Sequence, residues 1–153
     1  MNGDRRGSDS AERCPIPDLY IRPFSPQQAP GLTRWTALRN TDPLLRRFGL
    51  AEVLRRTPEA RAYLRLRTAA DEVWVLLEGQ VEFLWHDLRT RSPSFGIRHH
   101  LQADRPLLVL APFGVAFGVR AQNGAALLLR LATHSDEDPD ASGDQELPWP
   151  SED

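Results

Sequence analysis

The chain has 153 residues and not one lysine; all 19 of its basic residues are arginine. That absence excludes a phosphate-loop lysine, a Schiff-base lysine for pyridoxal chemistry, and any lysine general acid or base. Cysteine is nearly missing as well: the single Cys14 permits no intramolecular disulfide and no thiolate zinc site. Four histidines, His86, His99, His100 and His134, are left to hold a metal together with carboxylates. No apolar run approaches the ~20 residues of a membrane-spanning helix. The opening residues Met1-Asn2-Gly3-Asp4-Arg5-Arg6 lack the apolar stretch of a secretory signal. The expectation is a cytoplasmic protein without a membrane partner.

What is present is ordinary in amount and uneven in placement. Hydrophobic residues make up 41% and charged residues 26%, and a chain of this length buries about two-thirds of its unfolded surface as one domain. Residues 136–153 carry eight Asp or Glu and no base, a net −8, which leaves the preceding body at +6. A body of that sign suits an anionic small molecule. The arginines are scattered and the tail repels phosphates, so no nucleic acid partner is expected. The acidic run also reads as a solvated tail that aids solubility.

Three regions follow from composition: a disordered polar segment 1–17, a folded body 18–135, and the acidic tail 136–153. Within the body, residues 19–24 and 32–38 read as short strands, and 44–56 is ambiguous between helix and strand. Residues 62–67 alternate, with Leu64 and Leu66 on one face and Tyr63, Arg65 and Arg67 on the other. The continuous apolar run 73–77 marks a strand covered on both faces. Gly79-Gln80 predicts a turn into a strand over 81–88. Strands are predicted over 107–111, 115–119 and 126–132, with Gln122-Asn123-Gly124 as a hairpin signal. Many short strands and frequent turns predict an all-β sandwich or barrel.

At this point the chain resembles a known family. The run Val75-Leu76-Leu77-Glu78-Gly79-Gln80-Val81, then Asp87-Leu88-Arg89, then Ser92-Pro93-Ser94-Phe95-Gly96 is similar to the series in the dTDP-4-dehydrorhamnose 3,5-epimerases. Residues 111–119, from Ala111-Pro112-Phe113-Gly114 to Gly118-Val119, look like a further segment of that family. Leu147-Pro148-Trp149 loosely matches its end. The resemblance covers roughly residues 62–150. It implies a cupin-like jelly roll, usually a homodimer, with sugar 3,4-ketoisomerases as near relatives. The ligand it implies is a dTDP-sugar.

The resemblance also locates departures. Thr68 stands near the family's catalytic His, Glu72 at the position of its active-site Lys, and Arg130 at that of its acid Tyr. Removing the proton next to a ketone needs a base of near-neutral pKa, which Thr68 is not; Arg130 stays charged and donates protons poorly. Cupin metal ligands are similarly replaced, since Arg65, Arg67 and Phe117 stand where imidazoles are required. Guanidinium does not ligate a divalent cation, so no metal or other cofactor is expected.

The candidate ligand-binding residues are Tyr63, Arg65, Arg67, Arg130 and Glu82. Paired guanidiniums fit a phosphate or carboxylate, although the same arginines could pair with Asp71, Glu72 or Glu82. His86 and Glu72 are the catalytic candidates if the protein is active, with Glu82 assisting. His99 and His100 read as a solvated strand, and Trp74 and Trp85 as core. The leading expectation is a catalytically degenerate cupin that binds an anionic small molecule. An active epimerase or ketoisomerase with an unusual base, and a structural dimerisation module, are the alternatives.

Overall fold

The computed structural model describes residues 14–39 and 41–151; most of the expected disordered segment 1–17 lies outside the described residues. Among them are ten strands: β1 (Ile21–Pro23), β2 (Gln27–Ala29), β3 (Leu32–Arg34), β4 (Leu50–Arg56), β5 (Tyr63–Leu66), β6 (Glu72–Asp87), β7 (Arg98–Ala103), β8 (Leu107–Ala111), β9 (Val115–Ala132) and β10 (Gln145–Pro148). A 3-10 helix spans Pro139–Gly143. All pairings are antiparallel.

Two long strands organise the rest. The first half of β6 lies between β8 and the end of β9, with Trp74 opposite both Val109 and Arg130. Its second half lies between β7 and the start of β9, with Trp85 opposite both His99 and Phe117. One half-sheet therefore runs β1-β8-β6-β9-β4 and the other β7-β6-β9-β5-β10. This is an all-β sandwich, as the pattern of short strands predicts, in the jelly-roll form that the resemblance implies.

The turn signals play a different part from the one expected. The register passes from Glu78 opposite Leu127 to Gln80 opposite Gln122, so four residues of β9 face the single Gly79. Gly79, Asn123 and Gly124 all adopt positive φ, and the backbone oxygen of Ala125 lies 2.7 Å from where a Gly79 Cβ would stand. Neither strand reverses there. The residues that favour tight turns instead supply the left-handed geometry of a bulge, which lets one strand serve both half-sheets.

The facing surfaces of the half-sheets enclose Trp74, Leu76, Phe83, Trp85, Phe117 and Leu128. Phe117 sits at the centre, its ring 5.8 Å from Trp74, 5.8 Å from Phe83 and 5.4 Å from Trp85. Behind the first half-sheet, Val73, Val75 and Leu108 are covered by Phe24, Leu38, Leu44 and Leu45, which is why residues 73–76 are continuously apolar, whereas Leu77, next to the bulge, is exposed. Behind the second, Leu64, Leu84 and Ala116 meet Leu147 and Trp149.

The ends of the chain contribute more than composition suggests. Ile16, placed by composition in the disordered segment, is fully buried in the core. Part of the acidic tail forms β10 and pairs with β5. Residues 44–56 resolve into a turn followed by β4, on which Glu52, Leu54 and Arg56 point to one side and Val53 and Arg55 to the other. Strands β2 and β10 do not stand out in the residue pattern, whereas β7 contains the strand expected at His99-His100.

Gly118 fixes the approach of β5 to β9. A Cβ there would lie 2.4 Å from the Tyr63 carbonyl and 2.8 Å from Leu64 Cδ2. Gly118→Ala is expected to destabilise the fold by about 2 kcal/mol or more, read as a lowered midpoint in denaturant. An unchanged midpoint would show that β5 is free to shift.

Candidate ligand site in the barrel

A cavity of about 220 Å³ opens between the half-sheets. Strand alternation decides what lines it. On β5, Leu64 and Leu66 turn outward to the apolar cluster beneath Trp149, so Tyr63, Arg65 and the following Arg67 face inward. β6 supplies Glu72 and Trp74, β9 supplies Phe117, Val119 and Arg130, and β4 supplies Glu52, Leu54 and Arg56; Asp136 closes the rim. One wall is thus aromatic and aliphatic, and the other is charged.

The charged wall is a single connected network. Glu72 Oε1 accepts from Arg67 at 2.5 Å and from Arg130 at 2.7 Å, while Oε2 accepts from the Trp74 indole at 2.7 Å. Arg130 also donates to Glu52 at 2.7 Å and to Asp136 at 3.1 Å. Arg65 pairs with Asp136 at 3.0 Å and Asp144 at 3.4 Å. Arg67 Nε lies 2.7 Å from Asp144 without hydrogen-bond alignment, so that contact is an ion pair alone. The buried Nε of Arg130 has no hydrogen-bond partner among the described residues. The partners foreseen from sequence included Glu72; Glu52, Asp136 and Asp144 were not foreseen, because strand β4 and the acidic tail were not yet placed against the barrel.

Burial pushes the Glu72 carboxyl up, but the hydrogen bonds and charge of Arg130, the Trp74 indole and the Arg67 charge outweigh it and hold it below its ordinary value. Asp136 shows the same balance: burial raises it, and Arg130 and Arg65 lower it further. A carboxylate held in this way is a weak base. Burial alone would lower the Arg130 guanidinium, yet Glu72, Asp136 and Glu52 raise it above the usual range.

Glu82 and His86 stand elsewhere. Beyond the bulge of β6, residues 81, 83 and 85 face the core and residues 82, 84 and 86 face the outside of the second half-sheet, with Leu84 in the cluster beneath Trp149. Glu82 is engaged there by Arg120 at 2.7 Å and His100 Nδ1 at 2.8 Å. His86 is half-buried, its pKa lowered by burial and then by Arg98. His99 packs on Trp85 at 5.6 Å, so His99 is half-buried where a solvated strand was expected. Thr68 is exposed and bonded to Asp144. Among the described residues no histidine lines the cavity.

The most specific piece of the sequence resemblance is a built turn. Asp87, its side chain fully buried, accepts from Arg89 Nε at 2.9 Å, Ser92 Oγ at 2.7 Å and Ser94 Oγ at 2.6 Å. Arg89 in turn bridges to Asp18. The Asp-Leu-Arg and Ser-Pro-Ser residues therefore hold a loop, outside the cavity.

The carboxylates of the cavity are all engaged by guanidiniums, a donor set that does not suit a divalent cation. Outside the cavity, His134, Asp138 and Asp140 bring three potential ligand atoms within 4.8 Å of one another beside the 3-10 helix. That grouping was not anticipated from sequence. No helix among the described residues is long and apolar enough to cross a membrane.

The fold is a cupin-like jelly roll, similar to that of solved dTDP-sugar epimerases and isomerases. Three solved structures illustrate the likeness. A dTDP sugar isomerase from Desulfovibrio desulfuricans G20 aligns with TM-score 0.75 over 88% of this chain and 86% of its own, at 18% identity. The dTDP-4-dehydrorhamnose 3,5-epimerase of Elizabethkingia anophelis NUHP1 aligns with TM-score 0.72 over 84% and 75%, at 17% identity. A 3,4-ketoisomerase from Helicobacter canadensis aligns with TM-score 0.65 over 80% and 88%, at 14% identity. In sequence, the chain is 27% identical over 117 residues to the spore coat polysaccharide biosynthesis protein SpsL of Bacillus subtilis strain 168, covering 75% of this chain and 78% of that protein. No family model matches the chain.

Two expectations test this account of the charges. Asp87→Ala removes the shared acceptor of the partly exposed Arg89 guanidinium, which keeps Asp18, and of the Ser92 and Ser94 hydroxyls, and is expected to cost about 2 kcal/mol of stability, measured by chemical denaturation; a loss under about 0.5 kcal/mol would contradict the loop assignment. Glu72, Asp136, Asp18 and Asp87 all have folded-state pKa values below their ordinary ones. The stabilisation they confer is complete above the ordinary carboxylate value of about 4 and is lost as pH falls through the depressed folded values. The melting temperature should accordingly be level from pH 7 to about 5 and fall steeply below about 4. A melting temperature that rises on acidification would overturn the reading.

Proposed function

We propose that the barrel binds an anionic small molecule, a nucleotide sugar of the dTDP class, and does not carry out the proton transfers of an epimerase. One observation carries this reading: four arginines line the cavity, Arg56, Arg65, Arg67 and Arg130, with no histidine among them. Guanidiniums recognise phosphate and carboxylate through paired hydrogen bonds and remain charged at any physiological pH. Removing the proton next to a ketone requires a group that titrates near neutrality, whereas Glu72 is held as the anion. The aromatic wall of Trp74 and Phe117 offers a surface against which a sugar ring can pack.

The comparisons support the ligand class. A structurally similar epimerase from Legionella pneumophila Philadelphia 1 is in complex with dTDP-4-keto-L-rhamnose, and a 3'-monoepimerase from Streptomyces bikiniensis is in complex with dTDP-quinovose. We further propose that the protein works as a cytoplasmic homodimer. The exposed β4, on the edge of its half-sheet with Val53 66% exposed and Phe48 73% exposed beside it, supports a partner on that side.

Calorimetric titration with dTDP and dTDP-glucose tests the binding half of the proposal. Saturable binding is expected, weakened about tenfold in Arg65→Met, which removes one charge-assisted contact. No binding at millimolar ligand would overturn it. Incubation with a dTDP-4-keto-6-deoxyhexose in heavy water tests the other half: no deuterium is expected at C3 or C5, and incorporation would establish an active isomerase.

A further inference from the structure

One oxygen atom in the cavity stands where a ligand's oxygen would stand. Asp136 Oδ1 lies 3.0 Å from Arg65, 3.1 Å from Arg130 and 3.8 Å from Arg67. Three guanidiniums from β5, its trailing residue and β9 converge on it, which is the arrangement that recognises an oxygen of a phosphate or carboxylate. We propose that Asp136 is a built-in, displaceable stand-in for the ligand's anionic group, and that binding proceeds by exchange of the ligand anion for the Asp136 carboxylate. This rests on the proposal that the barrel takes an anion.

The other carboxylates of the network are anchored in ways Asp136 is not. Glu72 is 7% exposed and held by the Trp74 indole as well as by two arginines. Asp144 is 9% exposed and accepts from the Thr68 backbone at 3.1 Å and hydroxyl at 3.4 Å. Asp136 is 46% exposed, and among the described residues its side chain is held by guanidiniums alone. It lies between β9 and the 3-10 helix, at the rim through which a ligand enters. Glu52 is also half-exposed but touches Arg130 only.

Charge bookkeeping gives the exchange its direction. Arg56, Arg65, Arg67 and Arg130 are balanced by Glu52, Glu72, Asp136 and Asp144. With Asp136 in place the site is neutral and offers an incoming anion little attraction. With Asp136 withdrawn the site carries +1, and the Arg65 and Arg130 donors it occupied are vacated together. The ligand's anion must therefore compete with a tethered carboxylate, which lowers affinity without altering the geometry of the bound state.

The experiment uses dTDP as the probe, titrated calorimetrically into the full chain and into Asp136→Asn, Glu52→Gln and Asp144→Asn. Asp136→Asn keeps the shape and removes the competing charge, and should bind dTDP about tenfold more tightly. Glu52→Gln and Asp144→Asn also remove one negative charge but leave Asp136 on Arg65 and Arg130, and should gain clearly less. If the full chain binds dTDP and Asp136→Asn binds it equally or more weakly, the exchange is refuted while the binding proposal stands. If no form binds dTDP, both fall. A readout on the native chain guards against a misfolded variant: the carboxyl carbon resonance of Asp136 should titrate at higher pH when dTDP saturates the site, because the carboxyl has left its arginines. An unmoved titration in the saturated protein would also refute the exchange.

Discussion

The buried carboxylate of Glu72 is the constraint on which the rest of the barrel depends. A charge taken out of water is tolerated only when its lone pairs are filled and an opposite charge is adjacent. Glu72 meets that condition through Arg67 from the end of β5, Arg130 from β9 and the Trp74 indole from its own strand. Its demand for partners thereby ties three strands together at one point. It also orients Trp74, whose ring lies 5.9 Å beneath Arg130 and 5.8 Å from Phe117, so polar and aromatic walls are set by the same group. Remove the carboxylate and two guanidiniums are left buried with only peripheral partners.

The same logic accounts for the acidic end of the chain. Counted along the sequence, the body is positive and the tail negative, and the two look like separate pieces. In the fold they are one electrostatic unit, since Asp136 and Asp144 neutralise the arginines that the body alone could not satisfy. The attachment is made regular by β10, whose pairing with β5 holds Leu147 against Leu64 and Leu66. Trp149, just beyond, lies under Arg120 at 4.9 Å.

How far the sequence disclosed this follows from the physics of each signal. The alternation of residues 63–67 was readable because one face of β5 is apolar, so parity put Tyr63, Arg65 and Arg67 together on the opposite face, which is the one that lines the cavity. The run 73–77 was readable because both its faces are covered over 73–76, although Leu77 itself is exposed. Parity failed on β6 because the bulge at Gly79 interrupts the count. Residues 72 and 74 face the cavity, while beyond the bulge the odd-numbered positions 81, 83 and 85 turn to the core, and Glu82 and His86 are carried outward. The turn signals at Gly79 and Asn123-Gly124 were chemically genuine, since those residues do adopt positive φ; local preference cannot tell a bulge from a reversal. Glu52 and Asp136 were invisible as site residues because they reach Arg130 by pairing and chain return across 78 and 6 residues.

The frame and the chemistry of this fold are separable for a physical reason. The loop built on Asp87 is closed by short, charge-assisted hydrogen bonds among Arg89, Ser92 and Ser94, and none of these lines the cavity. It can hold the barrel's shape whatever the barrel contains. Inside, the arginines stay charged near neutral pH, so on the proposed reading the site orders an anion and does not exchange protons with it. On that reading, an interior of guanidiniums balanced by carboxylates is neither inert nor an acid–base machine. Its free energy responds chiefly to the exchange of one anion for another, and Asp136, the carboxylate held least firmly at its mouth, is where that exchange would begin.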